Sequence, residues 1–128
     1  MEHFAASLEA WKKREVELKR QIVDSKSAAD AERRITERTR AIMPVHLYGL
    51  CADLDPILDW ARGRGLKVIE DCCQAHGTTW KGRKVGTFGN CSAFSFNQNK
   101  CLCSGEGGMF VTDDAGMLEK ARSLWSFG

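Results

Sequence analysis

Arg40-Ala41-Ile42-Met43-Pro44-Val45-His46-Leu47 and Leu66-Lys67-Val68-Ile69-Glu70, with Asp55-Pro56-Ile57-Leu58 between them, decide the fold class of this chain. The outer two are short apolar runs of strand type. The middle one opens a helix, with Asp55 as N-cap, Pro56 at the first helical position, and Leu54, Ile57, Leu58 and Ala61 at helical spacing. Gly63 and Gly65 stop that helix. Strand, helix, strand is a βαβ unit, and a crossover of this length implies parallel pairing. The class is therefore α/β, with a mostly parallel sheet and flanking helices.

Two further strands follow, Ala93-Phe94-Ser95-Phe96 and Gly108-Met109-Phe110-Val111-Thr112. The four strands are expected near 41–46, 67–70, 93–96 and 108–112. Lys81-Gly82-Arg83-Lys84-Val85-Gly86 reads as a glycine-punctuated turn or hairpin. Asp113 or Asp114 caps a last helix carrying Leu118, Ala121 and Leu124. Upstream, residues 3–22 read as a charged helix with Phe4, Leu8, Trp11, Leu18 and Ile22 near one stripe, and a short helix covers 28–36. Residues 1–34 thus form a charged, helical N-terminal segment, and 35–128 carry the α/β part.

With 128 residues the chain makes one domain or one piece of a larger one. The formal charge is only +2, with basic and acidic residues interleaved, so no nucleic-acid footprint is expected. No apolar run is long enough for a membrane span, and Met1-Glu2-His3-Phe4 does not open a signal peptide. The expected location is the cytoplasm. Six cysteines are present without any Cys-x-x-Cys pair, which fits reduced, packed thiols better than a disulfide framework or a zinc ribbon. Cys72, Cys73 and His76 lack a fourth ligand at sensible spacing, so no metal centre is expected.

The chemistry gathers at strand ends. Asp71 follows the run Leu66–Ile69, and ligands of parallel sheets sit at the carboxyl ends of strands. Its carboxylate is either a helix N-cap or the partner of a protonated heterocycle. Gln74, one turn on, either faces solvent or donates to a neighbouring oxygen. Lys100 lies in Ser95-Phe96-Asn97-Gln98-Asn99-Lys100, just before the turn Ser104-Gly105-Glu106-Gly107-Gly108. It is either a surface lysine or an amine placed to form an imine. Ser95 can reach a phosphate. A lysine after one strand, an aspartate after another and a nearby hydroxyl are the minimum for holding pyridoxal 5'-phosphate. The glycine-rich turn is not a Walker loop, since Gly-Lys-Ser/Thr is missing and a strand follows. His46 and His76 are either acid–base groups or hydrogen-bonded positioners.

Four segments in this order resemble the DegT/DnrJ/EryC1/StrS family of pyridoxal-phosphate-dependent aminotransferases. They are Ile35-Thr36-Glu37-Arg38-Thr39-Arg40-Ala41-Ile42, Pro44-Val45-His46-Leu47-Tyr48-Gly49, Val68-Ile69-Glu70-Asp71-Cys72-Cys73-Gln74-Ala75-His76-Gly77, and Phe94-Ser95-Phe96 through Lys100 into Gly105-Glu106-Gly107-Gly108. The resemblance implies part of a fold-type I large domain over 35–128. It implies Lys100 as the imine-forming and proton-shuttling lysine, Asp71 at the pyridine nitrogen, Gln74 near the phenolic oxygen and Ser95 at the phosphate. It further implies an amino donor, glutamate or glutamine, a keto sugar nucleotide as acceptor, a role in polysaccharide or antibiotic biosynthesis, and a homodimer in the full-length family. The related dehydratase branch carries histidine at the lysine position, and Lys100 argues against it. Family members are much longer, with a phosphate-binding turn and a ring-stacking aromatic upstream and a small domain downstream. The chain is therefore expected to hold the central part of a site. A catalytically inactive remnant with little cofactor binding is the alternative reading.

Overall fold

The computed structural model describes residues 22–25 and 28–125. The strands are β1 (Ile22–Ser25), β2 (Ala41–Pro44), β3 (Lys67–Asp71), β4 (Thr79–Trp80), β5 (Arg83–Lys84), β6 (Cys91–Ser95) and β7 (Gly108–Val111). The helices are α1 (Ala28–Arg34), α2 (Leu54–Gly63) and α3 (Ala115–Trp125). Five strands form one sheet in the order β1-β2-β3-β6-β7, and β4-β5 is a separate hairpin. The pairs β1-β2, β2-β3 and β3-β6 are parallel, while β6-β7 is antiparallel. The sheet is mostly parallel, as the βαβ pattern requires.

The expected helix over 3–22 lies outside the described residues except at its end. There Ile22 opens a strand that pairs with Ala41. Within the N-terminal segment read as charged and helical, residues 22–25 therefore contribute an edge strand to the sheet. Its signal is weak in sequence, because Ile22-Val23-Asp24-Ser25 holds only two apolar residues.

Helix α2 begins at Leu54, one residue before the expected cap, and Asp53 flanks it without a side-chain capping bond. Leu54 is fully buried, so the helix starts where its first apolar residue reaches the core. Pro56 still falls within the first turn, where amide groups have no intrahelical acceptor to lose. Asp55 instead accepts hydrogen bonds from Trp80 Nε1 (2.9 Å) and from Lys81, which ties the β4-β5 hairpin to α2. At the other end of the chain, Asp114 Oδ1 accepts from the Met117 amide at 3.0 Å and caps α3.

Alternation along β3 separates the sheet's two faces. Val68 and Glu70 are buried, while Lys67 is exposed and Ile69 half-buried. Ile42, Ile57, Ala61 and Val68 form the core between sheet and α2. Cys72, Ala75 and Val85 make a smaller core beside it, flanked by Trp80 and Phe94. On the opposite face, Ala41, Ile69, Cys91 and Phe110 line an open apolar groove with Met117, Ala121 and Leu124 of α3.

Candidate active site

Asp71 closes β3 and Ser95 closes β6, and the parallel register Asp71↔Ala93 brings both carboxyl ends to one end of the sheet. Val45, just past β2, bridges to Asp71, and the His46 amide donates to the Asp71 carbonyl at 3.0 Å. Two-residue periodicity puts Asp71, Ala93 and Ser95 on one face, and Glu70, Ser92 and Phe94 on the other.

The loop from β6 to β7 carries Lys100 and is closed by short bonds. The Phe96 amide donates to the Gly107 carbonyl (2.8 Å), and the Ser104 amide to the Phe96 carbonyl (2.9 Å). Lys100 N donates to the Asn97 carbonyl at 2.9 Å, and Ser95 Oγ accepts from the Asn97 amide at 3.3 Å. Asn97 Nδ2 also donates to Glu106 Oε1 at 3.0 Å. Ser95 thus starts the turn that presents Lys100.

Lys100 and Gln74 meet across an open depression of about 550 Å³, lined also by Tyr48, Gly49, His76, Asn99 and Cys101. Gln74 is held on both sides. Its carbonyl accepts from the Gly49 amide (2.8 Å) and its Oε1 from the Tyr48 amide (3.4 Å). Tyr48 reaches this position with φ of 52°, a left-handed backbone uncommon for a residue bearing Cβ. Asp71 and Ser95 do not line the depression. Asp71 Oδ1 accepts from the Cys73 amide at 3.0 Å. The expected convergence of all four residues on one cavity is therefore seen for Gln74 and Lys100, with Asp71 and Ser95 at the neighbouring strand ends.

Cys73 lies within the reach of both charges. Burial first, and then Asp71 as hydrogen-bond partner and anion, push its thiol up to about 11, against the opposing pull of the Lys100 cation. His76 packs between Phe94 and Phe96, with ring centroids 5.7 and 5.6 Å away. Its Nδ1 is 3.5 Å from Cys101 Sγ, and its Nε2 is buried with no hydrogen-bond partner.

The residues suit a pyridoxal phosphate in chemistry. An amine and a carboxamide face the same open depression, a buried imidazole nitrogen there lacks a partner, and a carboxylate and a hydroxyl end the adjacent strands.

Beneath the site lies a group that sequence reasoning left unassigned. Glu70 is fully buried and accepts four hydrogen bonds. Its Oε1 takes the Phe88 and Gly89 amides, and its Oε2 the Gly86 amide, all at 2.7 Å. The fourth comes from His46 Nε2 at 3.2 Å. His46 Nδ1 accepts from the Ala52 amide at 3.1 Å, which fixes the tautomer with the proton on Nε2. Burial alone would raise the Glu70 carboxyl, but His46 and the three amides outweigh it and hold it below its ordinary range. His46, Glu70 and Cys72 offer ligand atoms within 4.8 Å of one another. Yet both imidazole nitrogens and both carboxylate oxygens are already engaged, and burial followed by the charges of Glu70 and Asp71 raises the Cys72 thiol. The cluster is a positioning network. The signal that could have found it is the two-residue alternation of β3, which puts Glu70 on the same buried face as Val68.

The model of the DegT/DnrJ/EryC1/StrS aminotransferase family matches residues 15–128. The chain belongs to this family. It is 53% identical over 97 residues to a GDP-perosamine synthase from Caulobacter vibrioides, covering 76% of this chain and 26% of that one. It is 51% identical over 100 residues to an L-glutamine:scyllo-inosose aminotransferase from Streptomyces griseus, covering 78% and 24%. Among solved structures, an aminotransferase from Psychrobacter cryohalolentis superposes with a TM-score of 0.71 at 38% identity, over 79% of this chain and 27% of that one. The chain spans about a quarter of the length of the curated relatives it matches. Members of the family use pyridoxal phosphate. No helix among the described residues is long and apolar enough to cross a membrane.

Proposed function

We propose that this chain supplies the lysine-bearing part of a pyridoxal-phosphate-dependent aminotransferase that moves an amino group from glutamate or glutamine to a keto sugar nucleotide. Residues 35–128 are the cofactor-binding part of its large domain, and the full-length protein works as a cytoplasmic homodimer. The observation that carries this reading is the meeting of Lys100 and Gln74 on one depression at the carboxyl end of the sheet, in a chain of this family.

Pyridoxal phosphate, when bound, supplies an electron sink for the carbon that bears the migrating amine. Lys100 would hold the group through its amine and would carry the proton at that carbon. Asp71, whose Oδ1 accepts from the Cys73 amide, would keep the pyridine nitrogen protonated. Gln74, with its oxygen held by the Tyr48 amide, would have its NH2 group left to donate to the phenolic oxygen. Ser95 would give its hydroxyl proton to the phosphate while accepting from the Asn97 amide. The loop bonds around Asn97 set the reach of Lys100.

Borohydride reduction of the 128-residue chain with pyridoxal phosphate, followed by peptide mapping, tests the reading. The expected result is label concentrated on Lys100 and lost in Lys100→Arg. Label spread evenly over Lys67, Lys81, Lys84 and Lys120 would overturn it. Turnover of the isolated chain with glutamine is expected to be slow, because positioning supplies much of the catalytic gain and the chain spans about a quarter of its relatives.

A further inference from the structure

Cys101 is exposed, and its Sγ lies 3.5 Å from His76 Nδ1 on the wall of the depression that Lys100 and Gln74 also line. A thiol within hydrogen-bond reach of an imidazole held by a third group is the general arrangement of an activated sulfur nucleophile. Here Phe94 and Phe96 hold the ring. The ring nitrogen that meets the thiol is Nδ1. The other cysteines differ. Cys72 and Cys91 are buried, and burial together with the Glu70 and Asp53 charges raises the Cys51 thiol to about 11. Cys103 is also exposed but has no imidazole contact among the described residues.

We propose that Cys101 is a covalent modification site for soft carbon electrophiles, with His76 as its base. The Cys101 thiol gives its proton to His76 Nδ1 as the sulfur forms a bond to carbon. With an α-halo amide, the carbon–halogen bond breaks and halide leaves with the electron pair. With an enone, sulfur adds at the β-carbon and the proton passes from the imidazolium to the α-carbon. The adduct then stands beside Lys100 in the mouth of the depression. The assignment is independent of whether a cofactor binds there.

Iodoacetamide labelling of the folded 128-residue chain, resolved by peptide mass spectrometry, tests this. Cys101 is expected to react about fivefold or more faster than Cys103, which is also exposed. His76→Gln should bring Cys101 to the Cys103 rate while Cys103 itself does not change. Protection of Cys72 and Cys91 reports that each variant is folded. If His76→Gln loses that protection, the comparison is made on the unsubstituted chain in denaturant, where the ratio should fall to about one. Equal native rates, a fast Cys101 in folded His76→Gln, or a ratio that survives denaturation would each overturn the proposal.

Discussion

His46 Nε2 lies 3.2 Å from Glu70 Oε2, and neither side chain is exposed to solvent. The same carboxylate terminates three backbone amides of the 86–89 loop, so it ties β3, the segment after β2 and the hairpin region together. Glu70→Ala leaves an imidazole and three amides without acceptors. The expected loss is about 3–5 kcal/mol, enough to unfold a small domain of ordinary stability. Urea denaturation followed by circular dichroism measures it, and a loss under about 1 kcal/mol would show that the loop finds other partners.

The same carboxylate sets an acid limb. Its pKa is lowered on folding, so it contributes stability above its unfolded value near 4.5, and that contribution is lost as pH falls through the folded value. Thermal melts between neutral pH and mild acid should therefore stay level down to about pH 5 for this group and fall below it. In Glu70→Gln the level is lower throughout and the fall is shallower. An unchanged acid slope in that variant would assign the limb to other carboxylates.

Cys73 reports on Asp71 and Lys100 together. Asp71→Asn should lower the Cys73 thiol from about 11, and Lys100→Ala should raise it, because the two charges act in opposite directions. The pH dependence of Cys73 alkylation reads both shifts. A response to only one substitution would mean that the other side chain points elsewhere.

If Ser95 holds a phosphate, its loss should matter only for phosphorylated ligand. Ser95→Ala should weaken the borohydride capture of pyridoxal phosphate at Lys100 while leaving capture of pyridoxal unchanged. Equal weakening of both would reduce Ser95 to its bond with the Asn97 amide.

Gly86 and Gly105 share a φ of +87° but not their surroundings. Nothing lies within 4 Å of a Cβ placed on Gly105, whereas one on Gly86 would meet Phe94 Cζ at 2.7 Å and Ser92 Oγ at 3.0 Å. Gly105→Ala should cost about 1 kcal/mol from backbone strain alone. Gly86→Ala should cost about 1–2 kcal/mol more, because the Phe94 ring must leave its place beside His76. Paired denaturation curves decide whether packing adds to strain.

The central α/β layer was legible because its signals are local. The runs at 41–47 and 66–70 are apolar and flanked by helix and turn residues, and the structure has strands at Ala41–Pro44 and Lys67–Asp71. Strand β1 was not legible, since Ile22-Val23 follows a strongly charged stretch of helical pattern and is only two apolar residues long. The sharing of one depression by Lys100 and Gln74 follows from their places after strand ends. The Glu70–His46 network was not legible, because its acceptors and donors come from loops whose approach depends on the finished fold. Pro56 misled by two positions, as the helix begins at the buried Leu54 and Pro56 is its third residue.

The loop bearing Lys100 leaves β6 and returns through β7, and these two strands are neighbours bonded along their length. Both feet of the loop are thus anchored in the same sheet. Trypsin cutting after Lys100 would sever the covalent chain without releasing either end, and the amine would keep its station on a nicked molecule that runs as one particle. In this fold the lysine's address is written in strand pairing, and the continuity of the peptide beyond it is secondary.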